Sequence, residues 1–243
     1  MNQIQAHYEN LLAAHYTWMF GDYMSKVREN VVFFEQHQIL PHKNARAIDL
    51  GCGCGFQSVA LADLGFKVLS IDFSQALLEE LKKHQENRSI SIVNADLLDF
   101  NQYYSYEAPE LIICMGDTLT HLNSLETIVT LLQNAVNTLE ANGHFILTYR
   151  DMTQELNGLD RFIPVRSDEN KIMTAFLEYW PNYVLVHDLI YTRSGTEWIL
   201  HKSSYKKLRI SKHWLKEQFT ALGMKIECEE THSGFTVLIA AKN

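Results

Sequence analysis

The stretch Ala47-Ile48-Asp49-Leu50-Gly51-Cys52-Gly53-Cys54-Gly55 joins a short apolar segment to a loop with three glycines. Residues 47–50 predict a buried strand, and the apolar residues Val59, Leu61 and Leu64 before Gly65 predict a helix after the loop. Glycines between a strand and a helix let a ligand approach the backbone at the carboxyl end of a sheet. The stretch therefore predicts a nucleotide-binding loop in an α/β fold.

The details of this loop exclude two common nucleotide-binding motifs. The dinucleotide pattern G-x-G-x-x-G requires a third glycine where Phe56 stands, and no Lys-Ser/Thr pair follows that would make a P-loop. Asp49 ends the first strand, and a carboxylate there would repel a pyrophosphate at close range. Asp49 instead suits a ligand that carries an ammonium group.

Two more acidic residues end the next two predicted strands. Asp72 lies 21 residues after Gly51, where an acidic side chain can accept hydrogen bonds from both ribose hydroxyls. Asp96 follows the third strand and is placed to accept from an adenine amino group. A ligand with adenine, a free ribose, an amino group and no phosphate is S-adenosylmethionine.

Strands and helices alternate through the first 150 residues. Residues 47–50, 67–72, 90–95, 110–115 and 144–149 predict five strands, and the helices between them imply right-handed crossovers and a parallel sheet. Ser74 is predicted to cap the helix after the second strand, and Asn123 with Glu126 forms a predicted capping box. The first forty residues have helical periodicity and end at Pro41.

The pattern changes after residue 150. Residues 171–180, 183–192 and 197–210 are rich in aromatic and β-branched residues and predict an antiparallel meander of three strands. Ser211 then caps a predicted helix, and strands at 224–229 and 235–240 follow. We expect one core from residues 1–154 and 211–243, in which residues 1–40 form a helical lid. The β-rich insertion at 155–210 would roof a substrate pocket or form a dimer contact.

Four segments together resemble the class I S-adenosylmethionine-dependent methyltransferases. AIDLGCGCG, VLSIDFS, NADLLDF and ELIICMGD are similar to successive motifs of that family, over about residues 45–150. The resemblance implies a Rossmann-like, mostly parallel sheet of seven strands whose last strand is antiparallel, with the β-meander inserted after the fifth strand. It also implies cofactor contacts, besides those of Asp49, Asp72 and Asp96, from Gly51, Cys52, Gly53, Phe73, Leu97 and Met115.

A more specific resemblance is to the glycine N-methyltransferase branch. The segments Gly116-Asp117-Thr118-Leu119-Thr120-His121-Leu122 and Thr148-Tyr149-Arg150-Asp151 are similar to segments of that branch, although Asp117 stands where its members carry Asn. Trp18 and Arg28 precede Asp49 at distances similar to those of a Trp and an Arg in that branch. The resemblance implies that Arg28 pairs with the methionine carboxylate and that Trp18 covers the sulfonium or adenine. Tyr16 and His121 are also expected at the cofactor.

The expected chemistry is an in-line displacement on a methyl group that the sulfonium already activates. A hydroxyl or ammonium acceptor would lose a proton, and His121 or Asp117 is the candidate base. Asp117, Tyr149 and Arg150 are candidates for orienting the substrate.

Several of these residues also have purely structural interpretations. Asp49 could cap the turn, Arg28 could be a solvated helix charge, and His121 could be a satisfied histidine at the start of a helix. Tyr16 and Trp18 lie on an apolar helical stripe and could pack in the core. An Arg150–Asp151 ion pair would equally explain those two charges.

The composition limits the partners. The 243 residues carry a formal net charge of −8, which makes nucleic acid a poor partner, and the basic run 202–209 (KSSYKKLR) is expected on a solvated strand face. The four cysteines have neither metal-ligand nor disulfide-framework spacing, so we expect no metal and a reducing cytoplasm. No segment has the features of a secretory leader or of a membrane span, so no membrane partner is expected.

These observations predict a cytoplasmic enzyme that methylates a small molecule, with nitrogen as the favoured accepting atom. The sequence does not decide between a monomer and a homodimer. A non-catalytic S-adenosylmethionine-binding or sensing domain is one alternative, and an NAD-dependent oxidoreductase is a second.

Overall fold

The computed structural model describes residues 3–104, 107–232 and 234–243, and of His232 only the backbone. Its main sheet has seven strands in the order β10-β11-β5-β4-β1-β2-β3. Their bounds are β1 Arg46–Leu50, β2 Lys67–Asp72, β3 Ile90–Asn94, β4 Leu111–Cys114, β5 His144–Arg150, β10 Met224–His232 and β11 Phe235–Lys242. Strands β1 to β5 are parallel, while β11 runs antiparallel to both β5 and β10. The predicted fold class is confirmed.

Helices cover both faces of this sheet. They are α3 Tyr23–Gln36, α4 Phe56–Asp63, α5 Gln75–Gln85, α6 Leu125–Thr138 and α7 Lys212–Ala221. One apolar cluster lies under α6 and α7, where Phe145 on β5 contacts Phe219 edge-on. The other lies under α3 to α5 and includes Phe34, Val59 and Leu81. The buried faces of both layers are apolar, so hydrophobic burial fixes the helices to the sheet.

Side-chain caps set where several helices begin. Ser74 and Ser211 accept hydrogen bonds from the backbone N–H groups of Leu77 and Trp214, as predicted. The cap of α6 is Ser124, which accepts from the Thr127 N–H, so the predicted start at Asn123 was wrong by one residue. That shift leaves Asn123 free to face the cleft described below.

The N-terminal segment is a broken helix that crosses the carboxyl edge of the sheet. It consists of α1 Gln3–His7, a π-helical turn Tyr8–Leu12 and α2 Ala13–Phe20; Gly21, at φ +96°, then redirects the chain into α3. Leu11 and Leu12 pack against Met173 and Ile190. The segment therefore lies between the main sheet and the insertion. Residues 1 and 2 of the predicted lid lie outside the described residues.

The insertion forms a separate antiparallel sheet in the order β6-β7-β8-β9. Its strands are β6 Phe162–Ser167, β7 Lys171–Tyr179, β8 Tyr183–Ser194 and β9 Glu197–Leu208. The prediction of three strands was wrong because it missed β6. That strand is an edge strand without a buried face, so it lacks the alternation by which a half-buried strand is recognised.

The described residues include no helix with both the length and the apolar composition to cross a lipid bilayer.

Candidate active site

A cleft lies at the carboxyl ends of β1, β2 and β4, beneath the N-terminal segment. Ligand sites of open α/β sheets lie at this edge. The residues that line it are Ile4, Tyr8, Tyr16, Gly51, Gly53, Asp72, Phe73, Leu77, Asp96, Leu97, Leu98, Thr118, His121, Leu122 and Asn123. The structure thus brings together predicted residues from four separate motifs.

The glycine loop forms the floor of this cleft. Gly51 has φ +75° and Gly53 has φ +54°. This left-handed backbone conformation is sterically unfavourable for residues that have a Cβ atom. A Cβ on Gly51 would lie 2.2 Å from Cγ2 of Thr118, whose hydroxyl donates to the Gly51 carbonyl. Both the backbone conformation and the close approach require glycine at position 51.

Asp72 is held in place by the backbone at the end of β2. Its two carboxylate oxygens accept from the N–H groups of Gly53, at 2.9 Å, and Ser74, at 2.8 Å. Each oxygen keeps a further lone pair for a hydroxyl group of a ligand. Burial raises the pKa of Asp72 to about 6 despite these hydrogen bonds, so a donor from a ligand would stabilise the charged form.

Asp49 lies buried under the loop rather than on the cleft surface. Ser58 donates to it at 2.6 Å, and Ser70 in turn donates to Ser58 at 2.7 Å. Burial raises the pKa of Asp49 to about 7, and the nearby Asp72 adds to this shift. Two close carboxylates with raised pKa values favour a ligand that brings positive charge or hydrogen-bond donors.

Part of the cleft lining is apolar. It includes Leu97 and Phe73, and Asp96, at the N-cap of a short 3-10 helix, accepts from the Leu98 N–H at 3.0 Å. Apolar side chains beside a carboxylate suit a flat ring that carries an amino group.

The N-terminal segment closes the cleft from above. Glu9 accepts a hydrogen bond of 2.7 Å from Ser74, next to Asp72, and the Gln5 amide donates to the Phe73 carbonyl at 3.2 Å. Tyr16 lies near Gly53. These contacts tie the segment to the β2–α5 turn, so it covers the side of the cleft that holds Asp72.

His121 and Tyr8 contact each other in the lining of the cleft. The Tyr8 hydroxyl lies 3.3 Å from Nε2 of His121, and Nδ1 of His121 is buried without a hydrogen-bond partner in the described part of the chain. Burial and the nearby Lys207 lower the pKa of His121 to about 3. The imidazole is therefore neutral at physiological pH, and it is a weak base.

Asp117 lies beside these residues in an ion-pair cluster. Lys207 on β9 donates to its Oδ2 at 2.6 Å, Arg150 Nε lies 3.5 Å from the same oxygen, and the Arg150 N–H donates to Oδ1. Burial alone would raise the pKa of Asp117, but Lys207 and Arg150 hold it below its usual range. Asp117 is therefore a poor proton acceptor, and its role as a base stays a prediction that this geometry does not support.

Besides Asp49, Asp117 and Arg150, five predicted site residues lie away from the cleft surface. Trp18 donates to Asp168 on the insertion, and Arg28 is exposed on α3 and contacts Ser25. Cys52 and Tyr149 are buried in the two cores, and Met115 packs below the cleft. Cofactor or substrate contacts of these residues stay predictions, because each side chain is occupied elsewhere in this structure.

Sequence reasoning did not place Tyr8, Thr118, Asn123 or Lys207 in the site. Tyr8 was part of an apolar helical stripe, which predicts core packing. Lys207 belongs to the basic run expected on a solvated strand, but its side chain is only 9% exposed. Alternation along β9 was the available signal, since Tyr205 and Lys207 share the buried face while Lys206 is exposed.

Comparison with known proteins agrees with this geometry. A family model described as a methyltransferase domain matches residues 41–209. The chain belongs to the methyltransferase domain family. This match and the observed fold confirm the assignment to the class I S-adenosylmethionine-dependent methyltransferases.

Individual relatives of this methyltransferase are distant. A glycine/sarcosine N-methyltransferase from Aphanothece halophytica is 29% identical over 112 residues, which are 45% of this chain and 42% of that protein. The chain thus matches less than half of that relative's length.

Two solved structures have similar folds over nearly the whole chain. The CcbJ methyltransferase from Streptomyces caelestis has a TM-score of 0.75 at 16% identity and covers 90% of both chains. CalS10, an amino pentose methyltransferase from Micromonospora echinaspora, has a TM-score of 0.74 at 12% identity, over 93% of this chain and 94% of that one.

The cleft of this methyltransferase fits S-adenosylmethionine. Gly51 and Gly53 leave the backbone open, Asp72 has free lone pairs that suit a ribose, and Phe73 and Leu97 add apolar lining that suits adenine. The raised pKa values of Asp49 and Asp72 match a ligand with positive charge. We therefore expect these residues to hold the cofactor.

Proposed function

We propose that this methyltransferase transfers a methyl group to an amino nitrogen of a small molecule. S-adenosylmethionine supplies the methyl group, which its sulfonium already activates. The chain's residues then have to hold the acceptor in line and exclude water, and such positioning can contribute roughly 7–11 kcal/mol. Tyr8, His121 and Thr118 line the cleft and are the candidates for this task.

The acid–base properties of the site support nitrogen as the atom that accepts the methyl group. His121 has a pKa of about 3, and Asp117 is an ion-paired carboxylate with a lowered pKa. Neither group accepts a proton readily at neutral pH, so a hydroxyl acceptor would lack a base. A neutral amine needs none before attack, because its lone pair is already available and its proton can leave afterwards.

The charges near His121 also favour a neutral amine. Asp117 is matched by two cations, Lys207 and Arg150, so these three groups carry a net charge of +1. Positive charge lowers the pKa of a nearby amine and favours its reactive, unprotonated form. The names of the glycine/sarcosine N-methyltransferase relative and of the amino pentose methyltransferase CalS10 support the same chemistry.

Matched acceptors test this proposal. Purified protein with S-adenosylmethionine is incubated with glucosamine and glucose, and with glycine and glycolate, while release of S-adenosylhomocysteine is followed. Transfer to amines alone is expected. Equal kcat/KM for the hydroxyl analogues would contradict the choice of nitrogen.

Cofactor binding by titration calorimetry completes the experiment. Binding without transfer to any fraction of a metabolite extract would instead support the alternative of a non-catalytic sensing domain. Tight NAD binding would support the oxidoreductase alternative. The expected cytoplasmic location and the absence of a nucleic-acid partner remain part of the proposal.

A further inference from the structure

A second cavity opens next to the cofactor cleft. Both are lined by Ile4, His121, Leu122 and Asn123, so they meet at His121. A molecule in the second cavity would therefore reach the cofactor cleft beside His121.

The outer wall of this cavity comes from the insertion. Asn182 lies in the β7–β8 turn, Tyr183 begins β8, and Lys206 lies on β9. The Lys206 ammonium lies 4.4 Å from the centre of the Tyr183 ring, which stacks on Trp180 at 5.9 Å and 14°. The insertion thus presents an aromatic surface with a cation above it.

Charge distinguishes this cavity from the cofactor cleft. Asp72 and Asp96 line the cleft, whereas the cavity's described lining includes no acidic side chain. Within the described part of the chain, Lys206 forms no ion pair with a carboxylate, unlike its neighbour Lys207. The amides of Gln3, Asn123 and Asn182 add neutral donors and acceptors. Although the chain has a net charge of −8, the electrostatic environment of this cavity therefore favours a negatively charged ligand.

We infer that the second cavity binds the methyl acceptor, and that Lys206 binds an anionic group, carboxylate or phosphate, at the end of the acceptor far from its amine. The inference rests on the proposed amine methylation, since it places the amine beside His121. A lysine ammonium is a suitable point charge for either anion. The amides would bind hydroxyl or carbonyl groups between the two ends.

Acceptor binding to the protein saturated with S-adenosylhomocysteine tests this inference without requiring turnover. Glucosamine-6-phosphate is compared with glucosamine, and 6-aminohexanoate with its amide, by titration calorimetry. The phosphate pair and the carboxylate pair distinguish the two kinds of anion. The anionic member of at least one pair is expected to bind roughly 10-fold more tightly, as a hydrogen bond to a charged group allows.

Variants locate the effect. Lys206→Met should remove most of this preference, and Lys206→Glu should reverse it, while both leave cofactor affinity unchanged. Lys202→Met is the matched control, because Lys202 is exposed on the same strand and does not line the cavity. It should behave like the wild type.

The outcomes separate the two proposals. If neither anionic acceptor binds better than its neutral partner, or if Lys206→Met keeps the preference, the role of Lys206 is refuted even where amines are methylated. If the anion preference depends on Lys206 but no amine is methylated, the cavity binds anionic amines and the proposed activity fails instead.

Discussion

Replacing Lys207 by methionine would remove the main cation that balances Asp117. The two side chains are only 9% and 15% exposed, and Nζ lies 2.6 Å from Oδ2. Methionine has a similar length and keeps the apolar packing of the lysine stem. The variant therefore tests the charge rather than the volume.

The expected cost follows from the partners that remain. Breaking a buried ion pair on one side costs about 3–5 kcal/mol, because the other charge stays buried without compensation. Arg150 and its backbone N–H still contact Asp117, and Arg150 is 45% exposed. We expect the lower end, about 3 kcal/mol, which corresponds to a midpoint shift of roughly 1 M urea at an m-value of about 3 kcal/mol/M.

Urea unfolding of four variants checks this value. Lys206→Met, one position earlier on the exposed face, should change the unfolding free energy by less than about 1 kcal/mol. The double variant Asp117→Asn with Lys207→Met should recover much of the loss, because no buried charge is then left unpaired. The pKa of His121, followed by NMR, should rise in Lys207→Met because Lys207 lowers it.

Two results would refute the reasoning. One is a decrease in unfolding free energy in Lys207→Met that lies within 1 kcal/mol of the decrease in Lys206→Met. This result would mean that the ion pair adds no net stability. The other is strict additivity of Asp117→Asn and Lys207→Met, which would mean that the two groups are not coupled.

Three further changes have expected outcomes. Because the pKa of Asp49 is raised to about 7, the stability of the folded protein falls as pH rises from 3.8 to about 7. Asp49→Asn should therefore stabilise the ligand-free protein at pH ~8 by up to about 4 kcal/mol, measured by thermal unfolding. The same change should weaken S-adenosylmethionine binding by at least ~1 kcal/mol. Burial alone would raise the pKa of Glu110, but four backbone N–H donors lower it to about 2. Glu110→Gln should therefore cost about 3 kcal/mol in urea unfolding at neutral pH, and this difference should shrink as pH falls from 4.5 towards 2. Gly51→Ala should lower the melting temperature and the cofactor affinity more than Gly195→Ala, since both glycines have positive φ but only Gly51 has Thr118 against it.

The parts of the fold and site that the sequence predicted are those encoded locally. Asp72 follows a buried strand and precedes a capped helix, and its position at the ligand edge follows from the parallel sheet. The Ser74 cap and the loop glycines are also local signals. Such features depend on neighbours within a few residues, and the structure has them where the patterns indicated.

Other features depend on contacts between distant segments. Lys207 contacts Asp117, which is 90 residues away in the sequence. Nothing in the basic run around Lys207 indicates this partner. The edge strand β6 lacks a buried face, and the π-helical turn at Tyr8 depends on packing under the insertion. In each case tertiary packing decides the outcome, and periodicity alone does not report it.

The two cavities carry opposite charge, and this difference bears on how an acceptor would be oriented. Acidic side chains line the cofactor cleft, while Lys206 is the charged side chain among the described residues that line the second cavity. An acceptor with a neutral amine at one end and an anion at the other is oriented by its anion, which Lys206 attracts and the two acidic side chains of the cofactor cleft repel. The reversed orientation would bring an anion towards Asp72 and Asp96. Because His121 and Asp117 are weak bases, fixing this orientation is the main contribution that the chain's own side chains can make to the transfer.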